Sequence, residues 1–230
     1  MNDFFISSLF FGVLISLGGY ELGIFLKRKT GLAIMNPLLV SILFVIGILL
    51  LFPVDYNTYE AGGKYLSYLL TPATVCLAVP LYKQIHLLRQ YRTAISLSVL
   101  AGTLTSLAGV LLLSILFRLP HSMYVTLLPK SITTAIGMGV SEELEGIVNI
   151  TVAVIVVTGV LGSVLGEWIL KLFRIENKIA KGLALGTAAH AIGTSKAMEL
   201  GEIEGAMSSL AIVTAGLLTV IGASIFSMIY

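Results

Sequence analysis

Residues 32–52, 65–82, 93–117 and 206–229 each form an apolar run without a single charged side chain. The hydrocarbon core of a bilayer takes about 20 residues of helix to cross, and inside it every backbone amide must find a partner without help from water. Two more stretches, 4–26 and 147–170, are nearly as apolar and hold one acidic residue each, Glu21 and Glu167. A barrel would need apolar and polar residues in alternation, which these runs lack. Six membrane-crossing helices are therefore expected. Composition agrees: 57% of the 230 residues are hydrophobic and 11% charged, where a soluble domain has about 25% charged, and mean hydropathy is +1.00. A net charge of +2 with no basic aromatic patch argues against a nucleic-acid partner, and the lone Cys76 excludes an internal disulfide. No Lys or Arg precedes Lys27-Arg28-Lys29, the reverse of a signal peptide, so residues 4–26 read as a retained first helix.

Loop cations set the orientation, because they favour the cytoplasmic side. With the N-terminus outside, the inner loops collect Lys27, Arg28, Lys29, Lys83, Arg89, Arg92, Lys171, Arg174, Lys178 and Lys181, and the outer loops hold Lys64 and Arg118. The expectation is a multi-pass protein of a bacterial plasma membrane with both termini outside. Span 93–117 then ends outside and span 147–170 must begin there, so residues 119–146 enter and leave by the outer face. By the same reasoning residues 182–205 enter and leave by the inner face. Re-entrant hairpins of this kind survive only where protein or a wet cavity covers their backbone.

The two hairpins resemble each other. Thr134-Ala135-Ile136-Gly137 leads to Glu145-Gly146, and His190-Ala191-Ile192-Gly193 leads to Glu204-Gly205, each followed by one apolar span. Inverted repeats of interrupted segments are typical of secondary transporters. The fold class expected is an all-α polytopic membrane protein with six full transmembrane helices plus two oppositely oriented re-entrant hairpins, an elevator-like arrangement. Residues 1–118 would form scaffold spans and a homodimer interface, and residues 119–230 the moving unit. Pro72 should bend or break the span 65–82, and a kink is expected at Asn36-Pro37.

Polar residues at these interruptions are the candidate binding groups. Thr71 and Thr74 flank Pro72. Lys130, Ser131, Thr133 and Thr134 stand at the first hairpin, where a cation among hydroxyls suits a small organic anion, and a snorkelling surface lysine is the plainer alternative. His190, Thr194 and Lys196 stand at the second, where a histidine serves either in proton coupling or as a hydrogen-bonded structural residue. The carboxylates Glu142, Glu143, Glu145, Glu199, Glu202 and Glu204 read as solvated or capping charges. No nucleophile elbow, phosphate loop or metal-ligand spacing occurs, so no enzyme activity, cofactor or metal is expected.

Asn36-Pro37-Leu38-Leu39, Val79-Pro80-Leu81-Tyr82-Lys83, Leu128-Pro129-Lys130-Ser131-Ile132-Thr133-Thr134 and the run from Ala180 to His190 resemble the LrgB/CidB family over essentially the whole chain. That family includes the membrane portion of the plastid glycolate/glycerate transporter. The resemblance implies either a carrier of small monocarboxylates such as pyruvate, glycolate or glycerate, or a holin/antiholin-like regulator of murein hydrolases and autolysis. It also implies a small LrgA/CidA-type membrane partner. The opposed hairpins put the carrier first and the regulator second.

Overall fold

The computed structural model describes residues 10–32, 35–52, 54–76 and 78–230, except for the side chains of Leu70, Thr71, Thr74, Pro80 and Leu81. Among the described residues every regular element is a helix, and the chain divides into two units, Met1–Cys76 and Leu77–Tyr230. The first holds α1 (Phe11–Thr30), α2 (Pro37–Leu51), α3 (Tyr56–Ser67) and α4 (Leu70–Cys76). Glycines bring its helices together: a Cβ on Gly23 would lie 2.6 Å from the Cα of Pro37, and one on Gly12 would lie 2.5 Å from the Gly63 nitrogen. On the same face Ser16 shares a 3.0 Å hydrogen bond with the Tyr59 hydroxyl, and Ser41 Oγ donates to the Ser16 carbonyl at 3.0 Å.

Two expectations change here. Asn36-Pro37 is a helix start and not a kink. The Asn36 side chain accepts from the Leu38 and Leu39 amides at 2.9 and 3.3 Å, and Pro37, which has no amide hydrogen to lose, occupies the first helical position. The run 65–82 is not one helix, since a turn at Tyr68-Leu69 separates α3 from α4. Pro72 is the third residue of α4, in the first turn, where its missing amide leaves no intrahelical bond unmade.

The second unit holds α5 (Ala78–Lys83), α6 (Ile85–Gln90), α7 (Arg92–Phe117), α8 (His121–Leu127), α9 (Thr134–Glu143), α10 (Val148–Leu172), α11 (Lys178–Leu200) and α12 (Glu202–Ser227). Among the described residues three helices, α7, α10 and α12, with 26, 25 and 26 residues, are long and apolar enough to cross a membrane. Of the other expected spans, 4–26 begins outside the described residues and 32–52 yields the 15-residue α2. The long helices wear their apolar side chains outside, as with Leu104, Leu112, Val157, Leu161, Leu217 and Ile221, and bury hydroxyls such as Thr103, Ser114, Thr151, Ser163, Ser208 and Thr219. That is the reverse of a water-soluble helix bundle, and it is the distribution that a hydrocarbon solvent favours.

Glycine contacts give the helix directions. Along α11, Leu185 meets Gly166, Ala189 meets Gly162, and His190 and Ile192 meet Gly159, so its first half runs antiparallel to α10. Gly182 faces Glu204 and Met207, and Gly186 faces Ser208 and Ala211, so the same half runs parallel to α12. Hence α10 and α12 are antiparallel. α11 itself is broken: Ala189 has φ −132° and ψ 18°, and His190 has φ 42° and ψ −135°. In a straight helix Leu185 and Gly193 would be about 12 Å apart along the axis, yet a Cβ on Gly193 would collide with the Leu185 carbonyl oxygen. The second half therefore folds back on the first and returns antiparallel to α12, with Met198 against Gly205.

Segment 119–146 also folds back. α8 starts beside the end of α12, where the Tyr124 hydroxyl donates to the Phe226 carbonyl at 2.8 Å. After the irregular stretch 128–133, α9 returns antiparallel to α10, with Gly137 against Ile155 and Ser141 against Thr151. These directions put Arg92, Lys171, Arg174, Lys178 and Lys181 at one end of the unit, and Arg118, Glu142, Glu143 and Glu145 at the other.

These close approaches leave no room for a side chain at Gly182, where the obstacle is the backbone of Glu204. Overpacking of a filled contact costs about 1–3 kcal/mol. Gly182→Val should lower the thermal midpoint of the detergent-solubilised chain, and Gly47→Val, whose added Cβ meets nothing within 4 Å, should leave it near the wild-type value.

Candidate functional site

α7 carries a face of small and hydroxyl residues, Ser98, Gly102, Thr105, Ser106 and Gly109, in an otherwise leucine-rich helix. Against it lie the irregular stretch after α8, through Lys130 and Ser131, and the first half of α11, through Ala180, Leu183, Ala184, Thr187 and Ala188. Between them is an open cavity of about 630 Å³, with Leu113 also in its wall. Lys130 Nζ donates to Ser106 Oγ at 3.2 Å and to Ser131 Oγ at 3.0 Å, and the two hydroxyls share a 3.0 Å bond. Among the described residues no carboxylate pairs with Lys130, and it is the one charged residue in the cavity wall. A half-buried ammonium with neutral partners only is an expensive group in an apolar setting, and an anion in the cavity offsets that cost.

The second fold-back builds a different cluster. His190 is buried at the break, and its Nε2 donates to the Ile155 carbonyl at 3.0 Å, in the space that Gly159 leaves beside the ring. Thr194 Oγ1 donates to the His190 carbonyl at 3.0 Å and lies 2.7 Å from Ser208 Oγ. The first fold-back has a matching hydroxyl link, Thr151 Oγ1 donating to the Thr126 carbonyl at 2.9 Å and lying 2.7 Å from Ser141 Oγ. In both, the repeated tetrapeptide opens the returning half-helix: Thr134 is the first residue of α9, and Ala191 follows the break in α11.

Of the candidates, Lys130 and Ser131 come together in the cavity. Thr133 stands at the N-cap position of α9 without a side-chain capping bond, Thr134 begins the helix, and neither lines the cavity. His190 and Thr194 hold the second break to α10 and α12. Lys196 joins Glu167 at 3.0 Å and Glu199 at 3.3 Å, in a network that also ties Lys171 to Glu167 at 2.8 Å. The side chains of Thr71 and Thr74 lie outside the described residues. Glu145 is exposed and Glu204 buried, so their equivalent places in the repeat do not give equivalent surroundings. Sequence reasoning missed Ser106 and Gly109, which belong to the small-residue stripe at helical spacing on α7, where the apolar residues drew attention instead. Among the described residues no group of three or more His, Cys, Asp or Glu side chains is placed to hold a metal ion.

The sequence profile of the LrgB-like family matches residues 16–229. This chain belongs to the LrgB-like family. It is 38% identical over 220 residues to the antiholin-like protein LrgB of Bacillus subtilis (strain 168), covering 95% of each chain. It is also 38% identical over 218 residues to the uncharacterized protein YwbG of the same strain, again over 95% of each. The antiholin-like protein LrgB of Bacillus mycoides (strain KBAB4) is 37% identical over 213 residues, 92% of this chain and 93% of its own. No solved structure matches the chain. The family and the apolar long helices together make this an LrgB-like membrane protein.

The two polar clusters should respond differently to substitution. Thr151→Val strands the Ser141 hydroxyl and the Thr126 carbonyl in a fully buried place and should cost about 1–3 kcal/mol. Lys130→Met removes a charge that no carboxylate balances and should leave stability unchanged or raised. Thermal unfolding of the two purified variants beside wild type checks both.

Proposed function

We propose that this LrgB-like protein is a non-enzymatic, antiholin-like regulator of the bacterial plasma membrane, acting with a small LrgA/CidA-type membrane partner to restrain murein hydrolase activity and autolysis. The observation that carries this reading is its identity to antiholin-like LrgB proteins over nearly the full length of both chains. Their names reverse the order in which the sequence alone ranks regulator and carrier. In this reading the basic end of α7, α10 and α11 faces the cytoplasm, both termini face outward, and the two fold-backs are re-entrant hairpins from opposite faces. Cells lacking the protein should lyse faster than wild type when autolysis is triggered, with stronger hydrolase bands in zymograms of their extracts, and the intact gene should restore both. Unchanged lysis and unchanged zymograms would count against it.

One observation favours a second reading, a carrier of small monocarboxylates of the pyruvate, glycolate and glycerate class. A largely apolar cavity holding a lysine that no carboxylate pairs with is unnecessary for a protein that acts by assembly alone. The antiparallel arrangement of the two fold-backs with α10 and α12 also supports a site between interrupted segments. Proteoliposomes containing the chain, with and without the LrgA-like partner, should take up labelled pyruvate or glycolate saturably, and Lys130→Ala should remove most of that uptake. Absence of uptake of both acids under every gradient tried would remove the carrier reading for them.

A further inference from the structure

The cavity against α7 is built unevenly. At one end Lys130, Ser106 and Ser131 form a closed triangle of hydrogen bonds of 3.2, 3.0 and 3.0 Å around a single positive charge. The rest of the wall carries no charge: it is mostly hydrocarbon and small residues, among them Leu113, Leu183 and Ala184, with the hydroxyls of Ser98, Thr105 and Thr187 between them. A Cβ built on Gly109 meets nothing within 4 Å, although Gly109 lies in that wall. The equivalent position two turns earlier on the same face, Gly102, is already filled, with the Thr187 methyl 2.7 Å from where its Cβ would be. Gly109 therefore borders the open part of the cavity and Gly102 its packed floor.

We propose that Lys130, Ser106 and Ser131 form the charge-reading end of a site for one small monoanion, and that Gly109 sets the length of the apolar part the site admits. The valence follows from charge balance. One lysine and no acid line the cavity, so a monoanion leaves it neutral, whereas a dianion leaves one negative charge without a partner among apolar atoms. Ser106 and Ser131 donate to the anion once it replaces their mutual bond, and the lysine ammonium adds a charge-assisted bond. Gly109 acts by absence: a side chain there enters empty space and displaces ligand, not protein. This site uses the cavity of the carrier reading and rests on it for a physiological role, though binding itself needs no transport step.

The test is calorimetric binding to the full-length chain in detergent, with thermal midpoints recorded for every variant. The probes are pyruvate, formate and, near neutral pH, succinate. Wild type should bind both monoanions saturably and succinate about tenfold more weakly or worse, the effect of about 1.4 kcal/mol of unbalanced charge. Ser106→Ala should weaken both monoanions alike. Gly109→Leu should lose pyruvate, keep formate, and retain the wild-type thermal midpoint. Succinate bound as tightly as pyruvate, pyruvate affinity unchanged in both variants, or no saturable binding of either monoanion to wild type would each overturn the site. Binding as described without uptake into proteoliposomes would discard the carrier reading and keep the site, and uptake indifferent to Ser106→Ala and Gly109→Leu would do the opposite.

Discussion

A helix can be interrupted inside an apolar coat only where neighbouring helices satisfy the groups that the interruption frees. Both breaks in the second unit meet that condition in the same way. A buried hydroxyl on the returning half-helix bonds to one on the long helix that follows, Ser141 with Thr151 and Thr194 with Ser208, at 2.7 Å in each case. Glycines let the backbones approach: Gly137 sits against Ile155, and Gly159, Gly162 and Gly166 form a row that receives the folded α11. His190 shows how far the surroundings dictate the backbone. Its positive φ is a conformation that a non-glycine residue adopts at a cost of about 1–3 kcal/mol, and the hydrogen bond from its ring to the Ile155 carbonyl helps to hold it there.

The sites follow from these breaks. Because the irregular stretch 128–133 ends against Ser106, near the middle of α7, Lys130 is held at mid-height of the unit with no acid beside it. Because α11 turns at Ala189-His190, its first half is short enough to leave the small-residue face of α7 partly uncovered, and that gap is the cavity.

Much of this was legible in the residues. Long apolar runs, uncharged for α7 and α12 and broken only by Glu167 for α10, identified these helices, and the short tetrapeptide repeat marked the two places where returning half-helices begin. Lys130 stood out because a charge between apolar runs is costly. Other features were hidden for physical reasons. Asn36-Pro37 suits a helix start as well as a kink, and only the capping bonds to Leu38 and Leu39 distinguish them. Lys196 looked like a site residue, but its partner Glu167 is 29 positions away and no local pattern announces the pair. Ser106 and Gly109 gain meaning only from what α11 fails to cover.

Segment 182–205 turns back to the end from which it came, while segment 119–146 does so at the opposite end. Single cysteines at Glu145, Arg174 and Glu202, in a chain with Cys76 replaced by alanine, can be tested in oriented membrane vesicles with a membrane-impermeant thiol reagent. Positions 174 and 202 should react from one side and position 145 from the other. Labelling of positions 202 and 145 from the same side would mean that α11 crosses the membrane outright and that segment 182–205 does not turn back.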